Sequence, residues 1–118
     1  MEWPGRLETV EEVDIETRRS GDAPVHRTVI WAVVTDGIVY VRSLRGEDGR
    51  WFRELMANPD AVLHVEGEAV PVRGVRADDA DSVERATDGF RRKYGDSPYL
   101  DTMIRDEIAP TTVRLAPR

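Results

Sequence analysis

The chain has 118 residues, 17 Lys plus Arg against 23 Asp plus Glu, a formal net charge of -6 and no Cys. That length suits one small domain spanning residues 1–118, with little room for a private cavity, so any ligand site is expected to borrow walls from a second subunit. Absence of Cys excludes disulfides, thiolate catalysis and Cys-based zinc sites. No apolar run approaches the roughly 20 residues of a membrane span, and no basic-then-apolar leader opens the chain, so a soluble, cytoplasmic protein without a membrane partner is expected.

From the N-terminus, Val10 to Arg18 alternates, with Val13 and Ile15 on one side and Asp14 and Glu16 on the other, as a half-buried strand does. Ser20-Gly21-Asp22-Ala23-Pro24 reads as a loop. His26 to Val34 holds Val29-Ile30-Trp31-Ala32-Val33-Val34, apolar on both faces, which predicts a central strand. Asp36-Gly37 between two apolar runs predicts a type I′ hairpin, because both central residues of that turn need positive φ. Ile38 to Leu44 is the return strand.

Asp48 is placed to cap a short helix whose Trp51, Phe52, Leu55 and Met56 share a stripe and which ends at Asn58-Pro59. Ala61 to Glu66 and Glu68 to Ala77 predict two strands joined at Gly67, with Pro71 marking an edge or a bulge. Asp78 or Asp79 starts a helix in which Val83, Ala86, Phe90 and Tyr94 form one buried stripe, closed at Gly95. Ser97-Pro98 opens a further short helix through about Ile108, and Thr111 to Ala116 is a last strand. Six strands with two to three peripheral helices predict a mainly β, antiparallel small barrel.

Several chemistries lack their residues. His26 and His64 are 38 positions apart, so no HxH or HExxH pair exists and no metal site is expected. No serine lies in GxSxG, and neither GxGxxG nor a Walker loop occurs. Asp78-Asp79-Ala80-Asp81 lacks EF-hand spacing and reads as helix capping. The acidic balance argues against a nucleic-acid partner. Residues 17–53, however, carry seven Arg against four acids, a positive island suited to a small anionic ligand.

Two loops in that island can hold an anion. In Thr17-Arg18-Arg19-Ser20-Gly21, Arg guanidinium and Ser hydroxyl groups suit phosphate; a solvated turn is the plainer reading and the favoured one on composition alone. In Arg42-Ser43-Leu44-Arg45-Gly46-Glu47-Asp48-Gly49-Arg50-Trp51 a strand feeds a helix N-terminus, which attracts anions through unpaired N–H groups. Trp51 there offers a flat face to a ring, or simply belongs to the core while Glu47 and Asp48 cap the helix. Tyr94 and Tyr99 read as anchors of the loop between them.

The TRRSG element, the hairpin and the GRWFRELMANP helix together resemble the flavin-binding split β-barrel superfamily that includes pyridoxamine-phosphate oxidase-like proteins. The likeness is nearest to the deazaflavin-dependent nitroreductase branch and a short uncharacterised family beside it. It covers about residues 11–77, and the W-F-x-x-L-x-A-N-P helix is its most specific part. The resemblance implies a six-stranded split barrel that dimerises and holds FMN or a deazaflavin near the dimer interface, with oxidoreductase activity by hydride transfer on a small molecule. Carried over by position, Arg42, Ser43, Arg45 and Gly46 would meet phosphate, with Ile30 and Trp31 near the ring system; Arg18, Ser20 and Trp51 stand beside them as cofactor-binding candidates on the chemistry above, and no catalytic residue is implied. The chain departs from the branch at Leu44-Arg45-Gly46 and Phe52 and beyond residue 77. The alternative is therefore a split-barrel binding protein that has lost its flavin, its groove closed by Trp31 and Trp51.

Overall fold

In the computed structural model, which describes residues 3–118, the elements in chain order are β1 (Val13–Thr17), β2 (His26–Ile30), β3 (Ala32–Thr35), β4 (Ile38–Val41), α1 (Arg50–Ala57), β5 (Asp60–Val65), β6 (Glu68–Arg76), α2 (Ala80–Tyr94), α3 (Leu100–Ile104) and β7 (Val113–Pro117). Single 3-10 turns lie at Gly5–Glu8, Gly46–Asp48 and Ala109–Thr111. Among the described residues the strands form one antiparallel sheet of seven, in the order β2-β1-β5-β6-β7-β4-β3.

The count corrects the expected six, and its origin is one residue. The run His26 to Val34 is not a central strand: it breaks at Trp31, and its two halves, β2 and β3, are the two edges of the sheet. A sheet whose outermost strands are joined by a single residue must curl until those edges meet. The result is a half-barrel with a seam beside β2. Apolar residues on both sides of β3 are explained by its two coverings. Ala32 faces the sheet interior, while Val33 packs outside against Ala86 and Phe90 of α2.

The inner face collects Val13, Ile15, Val39, Val41, Leu63, Val65, Val72 and Leu115, and α1 plugs it with Trp51, Phe52 and Leu55. Asp36 and Gly37 both have positive φ, 54° and 76°, as the hairpin chemistry required. Pro71 lies in an interior strand, one position beyond the last β6–β7 pair, Val72 with Pro117, where its missing N–H costs no ladder bond on that side. Asp79 caps α2 by accepting from the Ser82 N–H at 3.1 Å. The helix expected from Ser97-Pro98 to Ile108 is shorter: the chain turns through 97–99, α3 runs only Leu100–Ile104, and the 3-10 turn Ala109–Thr111 follows.

Gly74 permits the closest approach in the core. A Cβ there would lie 2.7 Å from Leu55 Cδ2, so α1 can settle onto β6 only because position 74 has no side chain. Gly74→Ala is expected to destabilise the fold by about 1–3 kcal/mol. In the Leu55→Ala background the same change should cost measurably less, which paired denaturation curves of the single and double variants will show as non-additivity.

Candidate functional site

The seam is a groove of about 550 Å³. Thr28, Val29, Ile30 and Trp31 form one wall, Arg42 to Arg45 the other, and Gly49, Arg50 and Trp51 the end; Tyr99, Met103 and Glu12 complete it. Six of the nine residues singled out from the sequence meet here: Ile30, Trp31, Arg42, Ser43, Arg45 and Trp51. Three lie elsewhere. Arg18 donates to Gly21 O at 2.6 Å and Ser20 to Asp22 at 2.8 Å, so that loop bonds to itself. Gly46 sits at φ +66° in the turn before α1, nearest to Ile108.

Arg42 is the largest fully buried side chain, 1% exposed. Its guanidinium donates to Thr112 Oγ1 (2.8 Å), Met103 O (3.2 Å), Val83 O (2.9 Å) and Thr87 Oγ1 (2.9 Å), and it lies 5.4 Å from the Phe90 ring centroid. Four of its five N–H groups are thus engaged, and no carboxylate is among the partners. Burial lowers it to about 10, which leaves it charged at neutral pH. The groove therefore has a desolvated cation in its wall that, among the described residues, forms no ion pair.

Ser43 follows it, also 1% exposed. Its N–H donates to Thr111 Oγ1 at 3.1 Å, but its hydroxyl is, among the described residues, the one buried side-chain polar atom with no hydrogen-bond partner. Thr111 and Thr112 hold the pair: each hydroxyl donates to a carbonyl of its own turn, at 2.7 Å, and accepts from the Arg42-Ser43 dipeptide. A Cβ at Gly49 would collide with Ser43 Oγ, so the absence of a side chain there leaves the hydroxyl its present place.

Gly49 is also the N-cap of α1, which has no side-chain cap. This corrects the expected cap at Asp48: Asp48 lies within the preceding 3-10 turn, and Glu47 reaches away to Arg76 at 2.9 Å. Arg42, Ser43, the exposed Arg45 and Arg50, and Gly49 at the N-terminus of α1 all line the groove. That donor set accepts an anion. Trp51 is both things the sequence allowed, buried in the core at 5% exposed and a groove wall. Trp31 and Trp51 flank the groove and do not fill it.

A second groove, about 480 Å³, shares Glu12, Trp31 and Tyr99 with the first and adds Thr9, Glu11, Lys93, Tyr94 and the turn 96–98. Trp31 stacks on Tyr94, with centroids 3.8 Å apart and planes 6° from parallel. Tyr94 anchors its loop as expected, its hydroxyl donating to Glu11 O at 2.5 Å, and burial raises its pKa. Tyr99, by contrast, is 69% exposed. Neither histidine lines either groove: His26 is held by Glu54 at 2.8 Å and His64 by Glu16 at 2.9 Å. Among the described residues no group of His, Cys, Asp and Glu is placed to hold a metal, and no helix is long and apolar enough to cross a membrane.

Several site residues escaped the sequence reading. Thr87, Thr111, Thr112 and Met103 reach Arg42 and Ser43 from 45 to 70 positions away. The Thr111-Thr112 pair directly before the last strand was the one visible trace.

A family model described as "Uncharacterized protein conserved in bacteria (DUF2255)" matches residues 5–115. No curated protein matches the sequence. Among solved structures, the heme storage protein HutZ from Vibrio cholerae superposes with a TM-score of 0.72 at 12% identity, over 97% of this chain and 86% of that one. An F420-H2 dependent reductase, FDR-A, gives 0.66 at 12% identity, over 92% and 97%. A Listeria innocua protein provisionally assigned as a pyridoxamine 5′-phosphate oxidase gives 0.66 at 16% identity, over 97% and 89%. Two other matched structures are longer, and the chain spans half of each. Identities this low establish a shared fold, the split β-barrel.

At the rim of the second groove, Lys93 Nζ donates to Leu7 O and Ala32 O, both at 2.6 Å, and burial lowers it to about 8 from an ordinary 10.5. Between those values the unfolded chain holds this proton and the folded chain releases it, so the group makes stability rise with pH across that window. Lys93→Met should flatten the rise, measured as the difference in denaturation midpoint between about pH 7.5 and 9.5. An unchanged difference would remove Lys93 as its source.

Proposed function

The chain belongs to that bacterial family, DUF2255, and from this premise we propose that its groove holds FMN or a deazaflavin, phosphate end toward Ser43, in a homodimeric oxidoreductase. The observation that carries the reading is the Ser43 hydroxyl, buried and unpartnered beside a cation without a counter-ion at an uncapped helix N-terminus. A buried polar atom left unpaired costs about 1–3 kcal/mol, and a phosphate oxygen accepting from it removes that cost. The apolar remainder of the groove, Val29, Ile30, Trp31 and Trp51, suits a planar ring system.

The residues divide the work by place. Ser43 and the first turn of α1 bind the anion, Arg42 fixes the local potential, and Arg45 and Arg50 close over it from the surface. Ile30, Trp31 and Trp51 orient the rings and keep water from one side of them. When bound, a flavin or deazaflavin supplies hydride transfer. The lining does not favour a His-ligated heme, because neither His26 nor His64 is part of it.

A second copy is proposed to cover the open side. Val29, Leu44 and Tyr99 stand there 59%, 53% and 69% exposed, an apolar rim that a monomer would leave in water. Val29→Asp is expected to shift the protein to monomer in sedimentation velocity and to weaken the cofactor at least tenfold. A variant that stays in the wild-type state, with wild-type affinity, overturns the shared site.

Ser43→Ala separates binding from folding. FMN affinity is expected to fall about tenfold, as for loss of one hydrogen bond to a charged group. The ligand-free melting temperature should hold or rise, since no partner is lost. Riboflavin, lacking phosphate, should bind both proteins alike, and Arg45→Ala should show the same contrast in milder form. Equal loss of FMN and riboflavin would move the phosphate away from Ser43. If titration with FMN and with the deazaflavin gives neither Trp quenching nor a thermal shift, the cofactor reading falls.

A further inference from the structure

We propose that the second groove is a binding compartment for an uncharged or cationic aromatic molecule, the reacting partner of whatever occupies the first, and that it rejects anionic ones. Its role as the reacting partner's compartment rests on the cofactor reading above; its charge preference does not.

Geometry makes the two grooves neighbours. Trp31, Glu12 and Tyr99 line both, so a ring held against Trp31 in the first groove lies at the mouth of the second. The walls of the second are aromatic and stiff: Trp31 and Tyr94 are stacked at 3.8 Å, and Tyr94 is further fixed by its bond to Glu11 O and its packing on Phe90. Pro98 and the exposed Tyr99 ring add apolar surface to the lining. An aromatic guest between such walls gains area burial and ring stacking.

Charge sets the class. Glu11, Glu12 and Asp96 line the compartment, all exposed, and among the described residues none forms an ion pair. The one cation there, Lys93, already has its ammonium on Leu7 O and Ala32 O and over the Tyr94 ring at 5.1 Å. The grooves thus have opposite polarity: Arg42, Arg45 and Arg50 at the far end of the first, three carboxylates in the second. A phosphate-bearing ligand is drawn one way only, and an anionic partner is repelled from the place where the reaction would occur.

The test is a charge series of planar probes, titrated by calorimetry at low salt into ligand-free protein carrying Arg45→Ala/Arg50→Ala, which strips the first groove of its exposed cations and leaves the second groove's lining unchanged: methylene blue as cation, menadione as neutral, naphthoquinone-sulfonate as anion. The sulfonate is expected to bind at least tenfold more weakly than menadione, and methylene blue at least as tightly. Glu11→Gln/Asp96→Asn, which changes two exposed side chains absent from the first groove, should shrink the gap to under threefold. Tyr99→Ala should weaken all three probes alike. Saturating FMN should leave the order unchanged. Equal binding of sulfonate and menadione, a gap untouched by the double variant, or displacement of the probes by FMN overturns the inference. Failure of FMN to bind the wild-type chain while the charge order holds would instead sink the cofactor reading and leave this compartment standing.

Discussion

One residue stands between the two edges of the sheet, and the rest of the molecule follows from that. β2 ends at Ile30 and β3 begins at Ala32, yet they pair with β1 and β4 at opposite ends of the strand order. The backbone can make that passage only if the sheet is already curled, because the two peptide units from Ile30 to Ala32 span about 7 Å while a flat seven-stranded sheet is roughly six strand spacings of 4.8 Å across. Closure is therefore tight at Trp31 and open farther along β2, where no partner strand lies on that side. The groove is that opening. The surroundings of Trp31 are correspondingly overdetermined: Tyr94 stacks on its ring, and Lys93 bonds the Ala32 carbonyl beside it to Leu7.

The second constraint is the Arg42 cation. Desolvating a guanidinium is expensive unless its donors are met, and here they are met by carbonyls and hydroxyls from α2, α3 and the residue before β7. That solution ties three elements to the end of β4 without neutralising the charge. A carboxylate in the same place would have served packing equally well and would have cancelled the potential in the groove. The choice of neutral acceptors leaves the Arg42 charge in place in a residue that lines the groove.

Local chemistry was legible in the sequence and long-range register was not. The Asp36-Gly37 hairpin, the Asp79 cap and the stripe of Ala86, Phe90 and Tyr94 depend on neighbours within a few positions, and each stands where the residues put it. The break at Trp31 depends on which strands pair at distances of tens of residues. Val-Ile-Trp-Ala-Val-Val shows no turn residue to betray it, so one strand was expected where there are two. The same limit explains the site. Arg42, Ser43, Arg45 and Trp51 are close in sequence and were found together, whereas Thr111 and Thr112, which hold the first two, lie about 70 positions on. Arg18 and Ser20 carried suitable chemistry, but the loop geometry that turned it onto Gly21 and Asp22 has no sequence signature beyond an ordinary turn.

Ser43 and Gly49 show why this end of the groove reads as a site and not as an accident of packing. Replacing Ser43 with Ala would remove an unmet hydrogen bond, so position 43 holds the less stabilising residue. Ser43 and Gly49 are mutually dependent, since the hydroxyl occupies the space a Cβ would need. A small fold with a modest core has little stability to spare. That concession at Ser43, beside a helix end without a side-chain cap, supports the proposed anion, which would accept from the hydroxyl and approach the open helix end.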